Sequence, residues 1–384
     1  MKLNEQHLAL RESVKTFVEK EINPHIEKWE SDERFPAHEV FKKMAKLGFL
    51  GISKPERYGG MGLDCSYNLI FAEEMGGCLN GAIPMAVGVQ TDMCTPALAQ
   101  YGSPELCEEF LKPAIQGDMV GCIGVSETDA GSDVASLKTT ARGDGDDYVI
   151  NGSKMWITNG AQADFMCLLA NTGSGPAHKN KSLVIVPMKT KGISISQPFE
   201  KIGMRASDTV QVFFDNVRVP KRNRIGAENE GFTIQMQQFF DERLYAAASA
   251  LKRLDRCIDE TVAYTGQRKA FGQSILDNQV VHFRLAELKT EIEALRSLTY
   301  RACEQRLEGF DATELVSMAK LKAGRLSREV SDACLQFWGG MGFMWENSVA
   351  RSFRDGRVLS IGAGADEVML GIICKYMGTL PKRK

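Results

Sequence analysis

Residues 123–160 read IGVSETDAGSDVASLKTTARGDGDDYVINGSKMWITNG. Within them the texture of the chain changes. Ser126, Thr128, Gly131 and Ser132 make a polar, glycine-containing loop whose backbone N–H groups are free to hold an anionic or polar ligand edge. A Gly/Asp turn then leads into "DDYVING", and Trp156 offers a flat aromatic face beside the hydroxyl of Thr158. On composition alone this is a capped turn followed by a strand with a buried tryptophan. A binding loop is the alternative.

Short strands continue on the C-terminal side. "FMCLLANT" and "SLVIVPM" are apolar runs of strand length separated by "GSGPAHKNK". "DTVQVFFDNVRVP" alternates through Val210 and Val212, then Val217 and Val219, which predicts a turn at Asp215–Asn216. Pro220 and the polar "KRNRIGAENEG" mark the next boundary. Before the loop, Val14, Phe17, Val18 and Ile22 recur near a helical period, as do the apolar residues of "HEVFKKMAKLGFL". The Gly-rich "PERYGGMGLD" interrupts these helices. Beyond the strands, Val281, Leu285, Leu288, Ile292 and Leu295 form one apolar stripe, and Ala319, Ala323, Leu326 and Val330 form another. Asp311 and Glu314 have capping-box spacing for the second of these helices.

The expected fold is mainly α with a central β domain: helices over 1–117, strands over 118–227, and a helical bundle over 228–384. That order argues against a nicotinamide Rossmann domain, which needs alternating βαβ units. "GGMGFM" at 339 lacks the fingerprint spacing and follows a helix.

A chain of 384 residues with 43% hydrophobic and 25% charged content supports two or three domains around a substantial core. Its net charge of -2 gives no electrostatic case for nucleic acid or an anionic membrane, and the tail "PKRK" reads as a solvated end. The ten cysteines stand singly, none in a CxxC, and there are five histidines, so no metal site and reduced thiols are expected. The opening "MKLNEQHLALRESVKTFVEKEI" resembles neither a signal nor a transit peptide, and no apolar run is long enough to predict a membrane span.

Six segments in this order resemble the acyl-CoA dehydrogenases: "SETDAGSDVASLKT", "NGSKMWITNG", "IGMRASDTVQVFFDNVRVP", "RKAFGQSILDNQ", "QFWGGMGF" and "IGAGADEVM". The resemblance implies an N-terminal helical domain, a middle β domain and a C-terminal four-helix bundle, with FAD between the last two. It implies that Ile123, Val125, Ser126, Gly131 and Ser132 hold the flavin ring and pyrophosphate, with Ser132 also near CoA. Trp156, Ile157 and Thr158 would lie against the flavin and its N5 edge. Arg268, Phe271 and Gln279 resemble an arm reaching a neighbouring subunit's FAD. Gln336, Gly339, Gly340, Ala365 and Glu367 would hold the adenine end. Without the family, "QRKAFGQ" is an ordinary interhelical loop and "QFWGGMG" a Gly-terminated helix. The family implies a homo-oligomer, here expected to be a tetramer. The expected location is the cytoplasm if the source is bacterial and the mitochondrial matrix, as a mature form, if it is eukaryotic.

The implied reaction is α,β-dehydrogenation of an acyl-CoA thioester: a base removes the α-proton while the β-hydrogen leaves as hydride to flavin N5. Many members carry the base as Glu-Gly-Thr in the last segment. Here that position is Ala363, and Ala365 replaces the usual threonine. In isovaleryl-CoA and long-chain enzymes the glutamate instead projects from the first bundle helix beside an arginine, and this chain has "FFDERLYAAASALKR". Glu242 is therefore the expected base, with Asp241, Arg243, Ala363 and Gly364 at the substrate. The alternative for "DER" is one exposed charged turn. Asp241, about 100° round the helix, cannot share a pocket with Glu242. The Ala363 N–H would donate to the thioester oxygen. Electron-transfer flavoprotein is the expected acceptor. An oxidase using O2 and a catalytically silent flavoprotein are the alternatives, and isovaleryl, longer straight and terpenoid acyl groups such as citronellyl all remain open.

Overall fold

The computed structural model describes residues 1–381; the basic tail from 382 on, expected to be solvated, lies outside them. Helices run up to Ile115, strands lie between Gly121 and Ile225, and helices resume at Gly231. The strands are β1 (Gly121–Gly124), β2 (Thr140–Asp144), β3 (Asp147–Thr158), β4 (Phe165–Asn171), β5 (Lys181–Pro187), β6 (Ile193–Ile195), β7 (Thr209–Pro220) and β8 (Arg224–Ile225). They form one sheet in the order β6-β7-β3-β2-β4-β5-β8, with β1 paired in parallel to β4.

The continuous apolar runs of β4 and β5 are explained by burial on both faces. Phe165, Cys167 and Leu169 pack with the helices Pro96–Tyr101 and Lys112–Ile115, while Met166, Leu168 and Ala170 pack with Tyr148, Ile150 and Val212 across the sheet.

The turn expected at Asp215–Asn216 is not there. β7 runs straight through it, antiparallel to β3, and the two residues bulge opposite Asn151. Asn216 takes φ +51°, and its N–H donates to Asn151 Oδ1 at 2.9 Å. The capping box at Asp311 is also absent. The helix Thr313–Trp338 starts two residues on, and Asp311 Oδ1 instead accepts the N–H of Thr313 at 2.9 Å.

Four helices, Gly231–Gln267, Gln279–Leu307, Thr313–Trp338 and Asp366–Tyr376, make up the bundle. The first joins the two helical regions because it has two apolar faces. Phe240, Leu244, Tyr245 and Ala248 pack into the N-terminal core, while Ala247, Leu251, Leu254 and Ile258 pack into the bundle. Contact on the first face is close: a Cβ at Gly76 would lie 2.3 Å from the carbonyl oxygen of Ser249. Among the described residues, no helix is long and apolar enough to cross a membrane.

Candidate functional site

Three groups of expected site residues occupy distinct places. The first is the loop after β1 with the end of β3. Lys154, wholly buried on β3, donates to the Val125 carbonyl and to Glu127 Oε1, both at 2.9 Å. Glu127 in turn accepts the backbone N–H groups of Lys138 and Thr139 at 2.7 and 2.9 Å. One buried ion pair thus ties both ends of the loop to the sheet. Burial pushes the Lys154 ammonium down to about 8, against the opposing pull of Glu127.

Between the ends, Gly131 and Ser132 are exposed, and the N–H groups of Thr128, Gly131 and Ser132 have no acceptor among the described residues. Met155 and Trp156 bulge out of the β3–β7 ladder between Lys154 and Ile157, with Trp156 at φ +58°. A bulge re-aims a side chain, and here it turns the indole outward to 55% exposure, where composition alone suggested a buried strand tryptophan. Ile157 stays buried, and Thr158 is half-buried opposite Thr209. A cleft of about 310 Å³ opens beside the loop, lined in part by Thr128, Ser136, Lys138 and Phe213.

The second group lies where the first and third bundle helices meet the turn before the last. Glu242 keeps a partly open face, yet burial is the strongest influence on its carboxyl and pushes it up to about 7, against Arg243 and Lys320. Arg243 is buried, with its guanidinium carbon 5.5 Å from the Phe239 ring centre and its Nε without a partner among the described residues. In the turn, the N–H groups of Ile361 and Gly362 both donate to the Val358 carbonyl at 2.8 Å. Ala363 follows at φ +55° and Gly364 at φ +90°. The Ala363 N–H has no acceptor among the described residues. Lys320, from the third bundle helix, donates to the Gly364 carbonyl, and its charge acts on Glu242. Asp241 faces elsewhere. Burial raises its carboxyl, and the charges acting on it are Lys54 and Arg306. The sequence reading missed Lys320, because a single charged residue on an otherwise apolar helix face carries no pattern of its own.

The third group is exposed, apart from the half-buried Ala365. Arg268 and Phe271 lie in and beside a small hairpin (Lys269–Ala270 with Gln273–Ser274) after the first bundle helix, and Gln279 opens the second. Gln336, Gly339 and Gly340 lie at the end of the third, and Glu367 in the first turn of the last. Ala365 is the residue preceding that last helix. Among the described residues, no hydrogen bond or ion pair joins the hairpin or the 336–340 segment to residues 123–158 of the same chain.

A β domain with an outward tryptophan and free backbone donors, set against a bundle that buries a carboxylate, has the layout of a flavin-dependent dehydrogenase. The chain belongs to the acyl-CoA dehydrogenase family. Sequence profiles of the family's N-terminal, middle and C-terminal domains match residues 4–118, 122–217 and 229–378. It is 37% identical to the long-chain specific acyl-CoA dehydrogenase of Sus scrofa mitochondria, over 96% of this chain and 86% of that one. Identity to the short-chain specific enzyme of Bos taurus is 33%, over 98% and 91%. The crystal structure of an acyl-CoA dehydrogenase from Geobacillus kaustophilus superposes with a TM-score of 0.94 at 35% identity, covering 98% of each chain. Family members are FAD-dependent oxidoreductases of fatty acid metabolism. The residues present fit FAD: an exposed aromatic face on a strained bulge lies beside loop N–H groups that have no internal acceptor.

Proposed function

We propose that within FAD-dependent acyl-CoA dehydrogenation Glu242 is the base that removes the α-proton. The observation carrying this is the state of the carboxyl: burial holds it near 7, poised to take a proton at neutral pH, between two cations that favour its ionised form. Ala363 has only a methyl side chain and accepts no proton, but its unengaged N–H is free to donate to the thioester oxygen, where charge develops as the α-proton leaves. Arg243, buried beside the Phe239 ring, supplies one of the two positive charges acting on Glu242. Trp156, Ser126, Gly131 and Ser132 would hold the flavin end of the cofactor. Bound FAD supplies the two-electron acceptor for the β-hydrogen.

The product is then the trans-2-enoyl-CoA, with electrons passed on to an electron-transfer flavoprotein. The protein works as a homotetramer, in the cytoplasm if bacterial and in the matrix if mitochondrial. Both long-chain and short-chain enzymes are among its relatives, so acyl length is to be found with a panel of thioesters. The test is Glu242→Gln. Turnover with an artificial electron acceptor should fall by at least about a hundredfold, while FAD content and the spectral shift on acyl-CoA binding persist. Near-normal turnover would refute the assignment.

A further inference from the structure

Lys320 links the turn at 361–365 to the candidate base. It is completely buried on the third bundle helix, and an ammonium is rarely found so unless it serves a partner. Its Nζ donates to the carbonyl of Gly364. Among the described residues this is the one side-chain hydrogen bond reaching the backbone of residues 361–365. The turn needs holding: Ala363 is an L-residue in left-handed backbone, and its own N–H is tied to nothing.

We propose that Lys320 is a positioning residue for the dehydrogenation. By fixing the Gly364 carbonyl it sets the aim of the Ala363 N–H, and its positive charge steadies Glu242 in the ionised form. This rests on the reading of Glu242 as base and deepens it. The charged groups around the ammonium are Asp366 and Glu367 from the last helix and Glu242 and Arg243 from the first. Asp366 is shared, since Arg325 and Arg328 pair with it at 3.7 and 3.2 Å. Glu242 itself is faced by Arg243 and Lys320. Removing the Lys320 cation leaves Glu242 with one counter-charge, so the carboxyl holds its proton to higher pH.

The experiment compares Lys320→Met and Lys320→Arg with the wild-type holoenzyme, using the acyl-CoA that the wild type turns over fastest. A 3-thia-acyl-CoA is the probe of proton abstraction, because it has an acidic α-proton but no β-hydrogen to lose. In Lys320→Met the acid limb of kcat/KM should move to higher pH by about half to one unit. kcat should fall roughly ten- to a hundredfold, and the long-wavelength band formed with the thia ligand should weaken. Lys320→Arg should keep the limb near its wild-type position. An unmoved limb in Lys320→Met overturns the proposal, whether kcat is kept or lost, since a merely structural lysine would affect yield and FAD content alone. Should Lys320→Met fail to bind FAD, Lys320→Gln takes its place with the same two outcomes. Glu242→Gln, run alongside, separates the two readings: substantial turnover there removes the base assignment itself, whatever Lys320 does.

Discussion

At residue 242 the same physical fact bears on rate and on stability. The carboxyl lies near 7 in the folded protein against 4.5 in the unfolded chain. With Glu242 as the proposed base, activity needs its ionised form, so kcat/KM should fall about tenfold for each unit of pH below roughly 7. A pH profile of the free enzyme under steady-state conditions measures this; a flat profile down to pH 5 removes Glu242 as the titrating base. The folded state also holds this proton more tightly than the unfolded state, so between about 4.5 and 7 stability falls as pH rises, and the penalty is complete above pH 7. Allowing for the partly open face, it amounts to roughly 1–3 kcal/mol. Glu242→Gln should therefore melt higher than wild type at pH 8, with the gap closing towards pH 4.5. Thermal melts of both proteins across that range test the sign. A substitution that removes function while raising stability marks a residue kept for chemistry.

At the scale of elements, what sequence could and could not tell depends on the phase of the apolar pattern. The bundle stripes were legible: every residue of Val281–Leu295 and Ala319–Val330 named for them is buried. β4 and β5 were legible as unbroken apolar runs. The bulge in β7 was not. Val210, Val212 and Phe214 pack into one core, and so do Val217 and Val219, so the inward phase slips by one residue at Asp215–Asn216. A tight turn and a bulge produce the same slip, and only pairing with β3 distinguishes them. The bulge at Trp156 was hidden for the same reason, and with it the exposure of the indole. The bulge conformation at Asn216 is itself testable. With φ at +51°, Asn216→Gly should change stability by less than about 0.5 kcal/mol, whereas Asn216→Val should cost roughly 1–2 kcal/mol. Urea midpoints at constant m-value measure both, and equal loss in the two variants would show that the side-chain hydrogen bond from Asn151 Nδ2 to Asn216 Oδ1, at 3.3 Å, matters more than backbone handedness.

At the scale of the whole molecule, the family motifs imply two parts of one cofactor site, and among the described residues no hydrogen bond or ion pair joins those parts within one chain. Trp156 and the 126–132 loop lie at the end of β3. Phe271, with no part of its side chain covered, stands on the hairpin after the first bundle helix, and Phe343 near the end of the third is 85% exposed. Apolar residues this open are expected to be covered by another copy of the chain. If the cofactor site is built from Trp156 of one chain and Phe271 of its neighbour, two different defects should complement each other. Trp156→Ala and Phe271→Ala should each retain less FAD after gel filtration than wild type. Co-refolded in equal amounts, they assemble hybrids in which about a quarter of sites draw the tryptophan from the Phe271→Ala chain and the phenylalanine from the Trp156→Ala chain. Those sites are intact, so FAD retention and turnover in the mixture should rise above the mean of the two variants measured apart. A mixture that only averages them places both residues in a site built from one chain, or Phe271 in no site at all; sedimentation equilibrium on the wild type, set against the 42.4 kDa chain, distinguishes these by showing whether a neighbouring copy is present.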